Sequence, residues 1–132
     1  MEKIERIKHI ADQLIGQGNF NIVETAFSAD YIAHAGQKTH HGHRFIKQFT
    51  KQLRTALPDV KIVKIELLSQ TDTLLTWQRT LSGTHHADLS GIPASNKKLE
   101  WYEIVVSRFD KDKIAEEWVA SDLAFQLMWK QK

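Results

Sequence analysis

A carboxyl, an imidazole and a guanidinium fall on strand-like segments in the second half of this chain, at spacings that could bring them to one substrate. In the segment Lys98 to Phe109, residues Leu99, Trp101, Glu103, Val105, Ser107 and Phe109 share one face, while Tyr102, Ile104 and Val106 share the other with Lys98, Glu100 and Arg108. With the odd-numbered face sheltered, Glu103 is a carboxyl between Trp101 and Val105, where loss of water raises its pKa towards the range of a general base. The competing readings put Glu103 on a solvated or copy-facing side, or neutralise it with Arg79 or His85. His85 and His86 follow Gly83 and Thr84 on a strand, so they point to opposite faces and one of them can enter a pocket. Counting back across the turn from Gly91 to Lys97 sets His85 opposite Glu103 within one or two residues. That pair would be an acid/base dyad, or a half-buried histidine satisfied by a carboxylate. Trp77, Arg79 and Leu81 share the parity of His85, so Arg79 either binds a carboxylate or enolate oxygen or sits at a rim in a salt bridge.

Other groups carry weaker chemistry. Tyr31 and His34 could each hydrogen-bond a ligand or be satisfied core residues. The run His40-His41-Gly42-His43 lacks an i, i+4 helical pair or a carboxylate at ligand spacing, so the metal reading yields to a polar loop before a helix. No serine–histidine combination carries a nucleophile-elbow signature. Trp77, Trp101, Trp118 and Trp129 would line an aromatic pocket or pack a core.

The elements that must position these groups follow from periodicity. Ile4, Ile7, Ile10, Ala11, Leu14 and Ile15 make a helical face that Gly16 and Gly18 stop. Ile22, Val23, Ala26 and Phe27, after the potential caps Asn19 and Asn21, predict a short second helix that breaks near Ser28-Ala29-Asp30, and Tyr31 to His34 leads into a loop. Phe45, Ile46, Phe49, Leu53 and Leu57 define a third helix closed by Pro58. Val60 to Gln70 and Thr73 to Ser82 form a hairpin about Thr71-Asp72. From Gly83 the chain reads as a long strand turning at Gly91-Ile92-Pro93, a second from Lys98 to Phe109, a tight turn at Asp110-Lys111-Asp112 and a third from Lys113 to Val119. Leu123 to Trp129 closes the chain as a helix behind Ser121 and Asp122. Residues 1–132 thus form one α+β domain, a four-strand antiparallel meander with helices on its concave face. The opposite face carries Tyr102, Ile104 and Val106, which predicts a homodimer packed sheet to sheet.

Composition narrows the function. The chain has 132 residues, 26% of them charged, with a net charge of +2, which gives no concentrated basic patch and argues against nucleic acid. It has no cysteine, so disulfides, thiolate metal sites and thiol nucleophiles are excluded, and a reducing, cytoplasmic location fits. The start, MEKIERIKHI, lacks the apolar run of a signal peptide, and no stretch reaches membrane-spanning length, so a soluble protein is expected.

GTH followed by a GIP turn, an extended strand ending in RF, then KIAEEW and an aspartate before a closing helix resembles the SnoaL-like polyketide cyclase family of the NTF2-like (cystatin-like) superfamily. DYIAH and HGHRFIKQF agree in order and length, so the resemblance covers essentially the whole chain. It implies a cone-shaped α+β fold, a deep pocket, frequent dimers, and cofactor-free intramolecular aldol closure in which one acidic residue, as its carboxylate, removes an activated proton between carbonyls. The family's catalytic aspartate follows the residue at the Trp118 position, where this chain has Val119. An assisting histidine or aspartate aligns with Val105, a polar residue with Glu103, and a second aspartate with Asp122.

The expected site therefore has Glu103 and His85 in place of the missing acid, Asp122 as an outside candidate, and Tyr31, His34, Trp77, Arg79, Trp101 and Trp118 around a small, largely apolar carbonyl compound, with no metal or cofactor. The expected chemistry is cyclisation or isomerisation. A non-catalytic ligand-binding domain and a hydrolase using a pocket-bound water are the alternatives.

Overall fold

The computed structural model describes residues 2–131. Helix α1 (Lys3–Ala11) widens into a π turn at Asp12–Gly16 before the chain reverses at Gly18. Arg54 donates to the carbonyls of Ile15 (2.5 Å) and Gly16 (3.0 Å), supplying partners that the end of a helix lacks. A 3₁₀ turn, Phe20–Ile22, begins behind Asn19, whose side chain accepts from the backbone N–H of Asn21, and leads into the single turn of α2 (Val23–Ala26). Six strands and two longer helices follow: β1 (Phe27–Ala35), β2 (Lys38–His41), α3 (Gly42–Ala56), β3 (Lys61–Gln70), β4 (Leu74–Thr84), β5 (Lys98–Asp110), β6 (Lys113–Ser121) and α4 (Leu123–Trp129).

The strands form one curved sheet in the order β2-β1-β6-β5-β4-β3. The expected meander β3-β4-β5-β6 is present and antiparallel throughout. Two further strands join it where the sequence pattern predicts the end of the second helix and a loop. Segment 27–35 pairs parallel with β6, Ala33 against Glu117 and Ala35 against Val119, and β2 folds back antiparallel on β1. Polar Asp30 and His34 interrupt its alternation, and its main partner lies more than 80 residues away, so a local pattern could not reveal it.

The odd-numbered face of β5 is the sheltered one: Leu99, Trp101, Glu103, Val105, Ser107 and Phe109 are all buried. Ile7 and Ile10 of α1, Leu14 of the π turn and Ile46 of α3 pack in one cluster with Trp77 of β4 and Val105 of β5, which sets these helices on the concave side as expected. A second cluster joins Ile15, Leu53 and Leu57 to Leu81, Leu99, Trp101 and Leu127 of α4. At Gly83 the backbone of β4 runs so close to α3 that a Cβ would lie 3.0 Å from Leu57 Cδ2 and 3.3 Å from Val60 Cα.

The reading of a long strand from Gly83 to Gly91 is corrected. Strand β4 stops at Thr84, where Asp59 accepts from both the backbone N–H and the hydroxyl, and residues 85–97 form a loop. Within it Leu89 and Ile92 exchange two backbone hydrogen bonds across Ser90 and Gly91, both at positive φ, a tight turn of the kind that glycine favours. Among the described residues no helix is long and apolar enough to cross a membrane.

Candidate active site

Between the concave sheet and the helices lies a cavity of about 690 Å³, within the range of small-molecule sites. Its two sides differ in chemistry. The helices contribute apolar or neutral side chains, Ile10, Leu14, Ile46, Phe49 and Thr50 among them, and exposed Phe49 marks an open edge. The sheet contributes every ionisable group on the described wall: Tyr31 from β1, Arg79 from β4, Glu103 from β5 and Glu117 from β6.

Arg79 and Glu103 face each other directly across the β4–β5 ladder. Arg79 Nε donates to Glu103 Oε1 at 2.7 Å, and Nη2 forms an ion-pair contact with the same oxygen at 2.6 Å. Oε2 accepts from Ser121 Oγ at 2.8 Å and from Trp101 Nε1 at 3.3 Å, so both oxygens are engaged. Burial pushes the pKa of Glu103 up, but Arg79 and the donors from Ser121 and Trp101 outweigh it and hold the carboxyl below its ordinary value. The guanidinium also lies 5.3 Å from the centre of the Trp77 ring, a favourable cation–π placement.

The second carboxyl, Glu117, went unnoticed in the sequence. Tyr31 donates to its Oε1 at 2.8 Å and Ser107 to its Oε2 at 2.5 Å, while Trp77 Nε1 donates to Ser107 Oγ at 3.0 Å. Because an indole nitrogen can only donate, it occupies a lone pair of Ser107 and leaves the hydroxyl proton for Glu117. The residue is half-buried and borders the cavity. Burial is the largest influence on Glu117 and raises its pKa above the ordinary value despite the opposing pulls of Ser107, Tyr31 and Arg79. Burial first, and the charge of Glu117 next, push the Tyr31 phenol far up, so it remains a neutral donor.

A bulge hid Glu117. The β5–β6 register slips between Phe109↔Ile114 and Arg108↔Glu116, so Ile114 and Glu117, of opposite parity, both line the cavity. The signal available in sequence was Ser107, a small polar residue on the sheltered face of β5, which needs a polar partner across the ladder.

Four of the expected site residues are corrected in position. His85 does not face Glu103; its backbone pairs with Lys97 and Asn96, and its ring is fully buried away from the cavity with no hydrogen-bond partner for either nitrogen among the described residues. The early end of β4 displaced it, since the ladder runs Gly83↔Leu99 and Arg79↔Glu103. His34 and Trp118 lie on the convex face, stacked at 5.1 Å between centroids, with His34 Nε2 2.6 Å from Glu116 Oε2. Asp122 binds the backbone N–H of Tyr102 at 2.8 Å and the amide of Gln126, a structural role at the entrance to α4. Tyr31, Trp77 and Arg79 line the cavity, whereas Trp101 does not and stands fully buried behind Glu103. In the histidine run, His43 donates through Nε2 to the carbonyls of Phe27 and Ser28, and His40 stacks on Phe45.

The family model of the SnoaL-like polyketide cyclases matches residues 5–128. The chain belongs to this family. No curated protein matches it. Among solved structures, a proposed SnoaL-like polyketide cyclase from Jannaschia sp. CCS1 is 15% identical with a TM-score of 0.82, over 92% of this chain and 86% of that one. A proposed polyketide cyclase from Acidithiobacillus ferrooxidans is 19% identical with a TM-score of 0.80, over 96% and 92% of the two chains. A SnoaL-like polyketide cyclase from Agrobacterium tumefaciens is 16% identical with a TM-score of 0.78 over the whole of both. At these identities the likeness is one of fold. This SnoaL-like chain keeps the family's α+β cone, while Val119 stands where the resemblance implies the catalytic aspartate and Val105 where it implies an assisting histidine or aspartate.

Proposed function

We propose that this SnoaL-like protein carries out cofactor-free acid/base chemistry, cyclisation or isomerisation, on a small, largely apolar carbonyl compound. The observation behind the reading is the convergence of Tyr31, Arg79, Glu103 and Glu117 on one apolar cavity. Arg79 and Glu103 cancel each other's charge, so a charged substrate would have to bury an unpaired ion, whereas a neutral carbonyl compound meets hydrogen-bond donors. Two carboxyls whose surroundings drive their pKa values in opposite directions are the arrangement expected of an acid/base site.

The test is hydrogen exchange at carbon. Incubated in deuterium oxide with neutral 1,3-diketones such as benzoylacetone, the protein should speed deuterium incorporation between the carbonyls beyond the buffer rate. Binding without accelerated exchange, measured by thermal shift, would leave the non-catalytic ligand-binding reading, which the valines at positions 105 and 119 favour.

The active form in this reading is a homodimer. Tyr102, Ile104 and Trp118 are exposed on the convex sheet face, an apolar stripe that a second copy would cover. Sedimentation should give a dimer at micromolar concentration that Ile104→Lys dissociates, and a monomeric parent protein would count against it.

A further inference from the structure

We propose that Glu117 is the side chain that takes and returns the substrate proton, with Tyr31 and Ser107 as its positioning residues and Glu103 kept out of the transfer. The inference rests on the acid/base reading above and adds to it the identity of the proton carrier.

The geometry separates the two carboxyls. Glu103 is ion-paired with Arg79, which donates through Nε, and receives one donor each from Ser121 and Trp101, so a substrate proton arriving there would have to displace a charge-assisted pair. Glu117 has one neutral donor on each oxygen, Tyr31 on Oε1 and Ser107 on Oε2, and a second lone pair on each oxygen remains for a proton. The chain Trp77–Ser107–Glu117–Tyr31 fixes the carboxyl from both sides, so the group is held in orientation without being neutralised. Groups facing it from neighbouring elements are Tyr31 on β1, Arg79 on β4 and Glu103 on β5; among the described residues, the helices bring no ionisable group to the wall. The nearest formal charges thus belong to a pair that cancels itself. Burial keeps the carboxyl a stronger base than an ordinary glutamate, in agreement with the raised pKa.

The step balances without a co-reactant. A Glu117 carboxylate oxygen takes the proton from the carbon between two carbonyls, and the C–H electron pair becomes the enolate, whose charge spreads over both carbonyl oxygens. In an isomerisation the proton returns to a different carbon. In a cyclisation the enolate carbon bonds to a further carbonyl carbon of the same molecule, and Glu117 protonates the alkoxide so formed. The substrate class is therefore a neutral β-dicarbonyl compound with an apolar remainder.

The experiment joins a kinetic and a spectroscopic readout. Glu117→Gln keeps the shape and should lower deuterium exchange into benzoylacetone by at least about 100-fold, the low end of what a general base contributes, with binding of the diketone changed less than about threefold. The infrared band of a protonated buried carboxyl should persist above pH 4.5, the ordinary glutamate value. It should disappear in Glu117→Gln and remain in Glu103→Gln. Tyr31→Phe and Ser107→Ala each remove a donor to the charged form and should move the midpoint of that band to higher pH. Exchange at the parent rate in Glu117→Gln, a band absent or lost with Glu103 instead, or a midpoint unmoved in both donor variants would overturn the assignment. If the parent protein exchanges nothing, the proposed function falls, and the band alone decides whether Glu117 holds a proton.

Discussion

Two arginine–glutamate pairs cross this sheet, one on each face, and they differ in nearly everything except residue type. Arg79–Glu103 spans β4 and β5 on the concave side, with side chains 13% and 6% exposed. Arg108–Glu116 spans β5 and β6 on the convex side, with side chains 40% and 19% exposed, and shares Glu116 with His34. Both glutamates have lowered pKa values. Glu116 owes its shift first to the hydrogen bond from His34 and needs to overcome little burial, whereas Glu103 must overcome burial as its largest influence. Partner geometry alone therefore does not separate them; what differs is the cost of losing a partner. Water can replace Arg108, but nothing on the described wall can replace Arg79.

The largest expected effect comes from breaking the inner pair. Arg79→Met leaves Glu103 buried without its cation and should destabilise the protein by about 3–5 kcal/mol, the range for removing one partner of a buried pair. Thermal or denaturant unfolding checks it, and Arg79→Met combined with Glu103→Gln should recover part of the loss, because no uncompensated charge remains. Recovery of nothing would show that the guanidinium acts through packing on Trp77 rather than through charge.

A middle-sized effect comes from pH and sharpens the contrast between the two inner carboxyls. The lowered pKa of Glu103 contributes stability that is present above its ordinary value of 4.5 and is lost as pH falls through its folded value. Glu117 has the opposite sign: its raised pKa contributes stability below 4.5 that is lost as pH rises through the folded value. The parent should therefore lose stability relative to Glu117→Gln from about pH 4.5 upward. Its advantage over Glu103→Gln should instead shrink on acidification. Denaturant curves of the three proteins across pH check the signs, and parallel slopes would remove the distinction between the carboxyls.

The smallest effect belongs outside. His34→Ala opens one side of the Glu116 cluster and should cost about 1 kcal/mol or less, since exposed ion pairs are screened by solvent. Unfolding and deuterium exchange together check it: a large loss of stability, or of exchange activity, would mean that the convex face supports the cavity more directly than its exposure indicates.

Much of this architecture was legible because it is local. The period-two alternation of β5 separated its two faces, the apolar stripes of α1 and α3 announced which sides they would hide, and Pro58 ended a helix where its missing N–H requires. Trp77 and Arg79, which share a face by parity, both line the cavity. Distances along the chain limited the rest. His85 was assigned across a turn by counting, yet the loop 85–97 consumes residues irregularly and the ladder resumes at Thr84↔Lys98. Trp118 carries the bulk of a core residue but lies outside, because the bulge in β6 reverses the facing of the strand after Ile114.

The sequence by itself determined the division of β5 into two faces and the placing of a carboxyl on one of them, since those follow from side-chain periodicity within a single element, while the order of its motifs carried the resemblance to the fold family. Only the tertiary structure decided which carboxyl is neutralised and which stays available. That outcome depends on which strand lies beside which, on one bulged residue in β6, and on a guanidinium reaching Glu103 while Glu117 meets only hydroxyl groups. A charge state is set by neighbours in space within a few ångströms, and in this sheet those neighbours come from β1, β4, β5 and β6, strands spread along most of the chain.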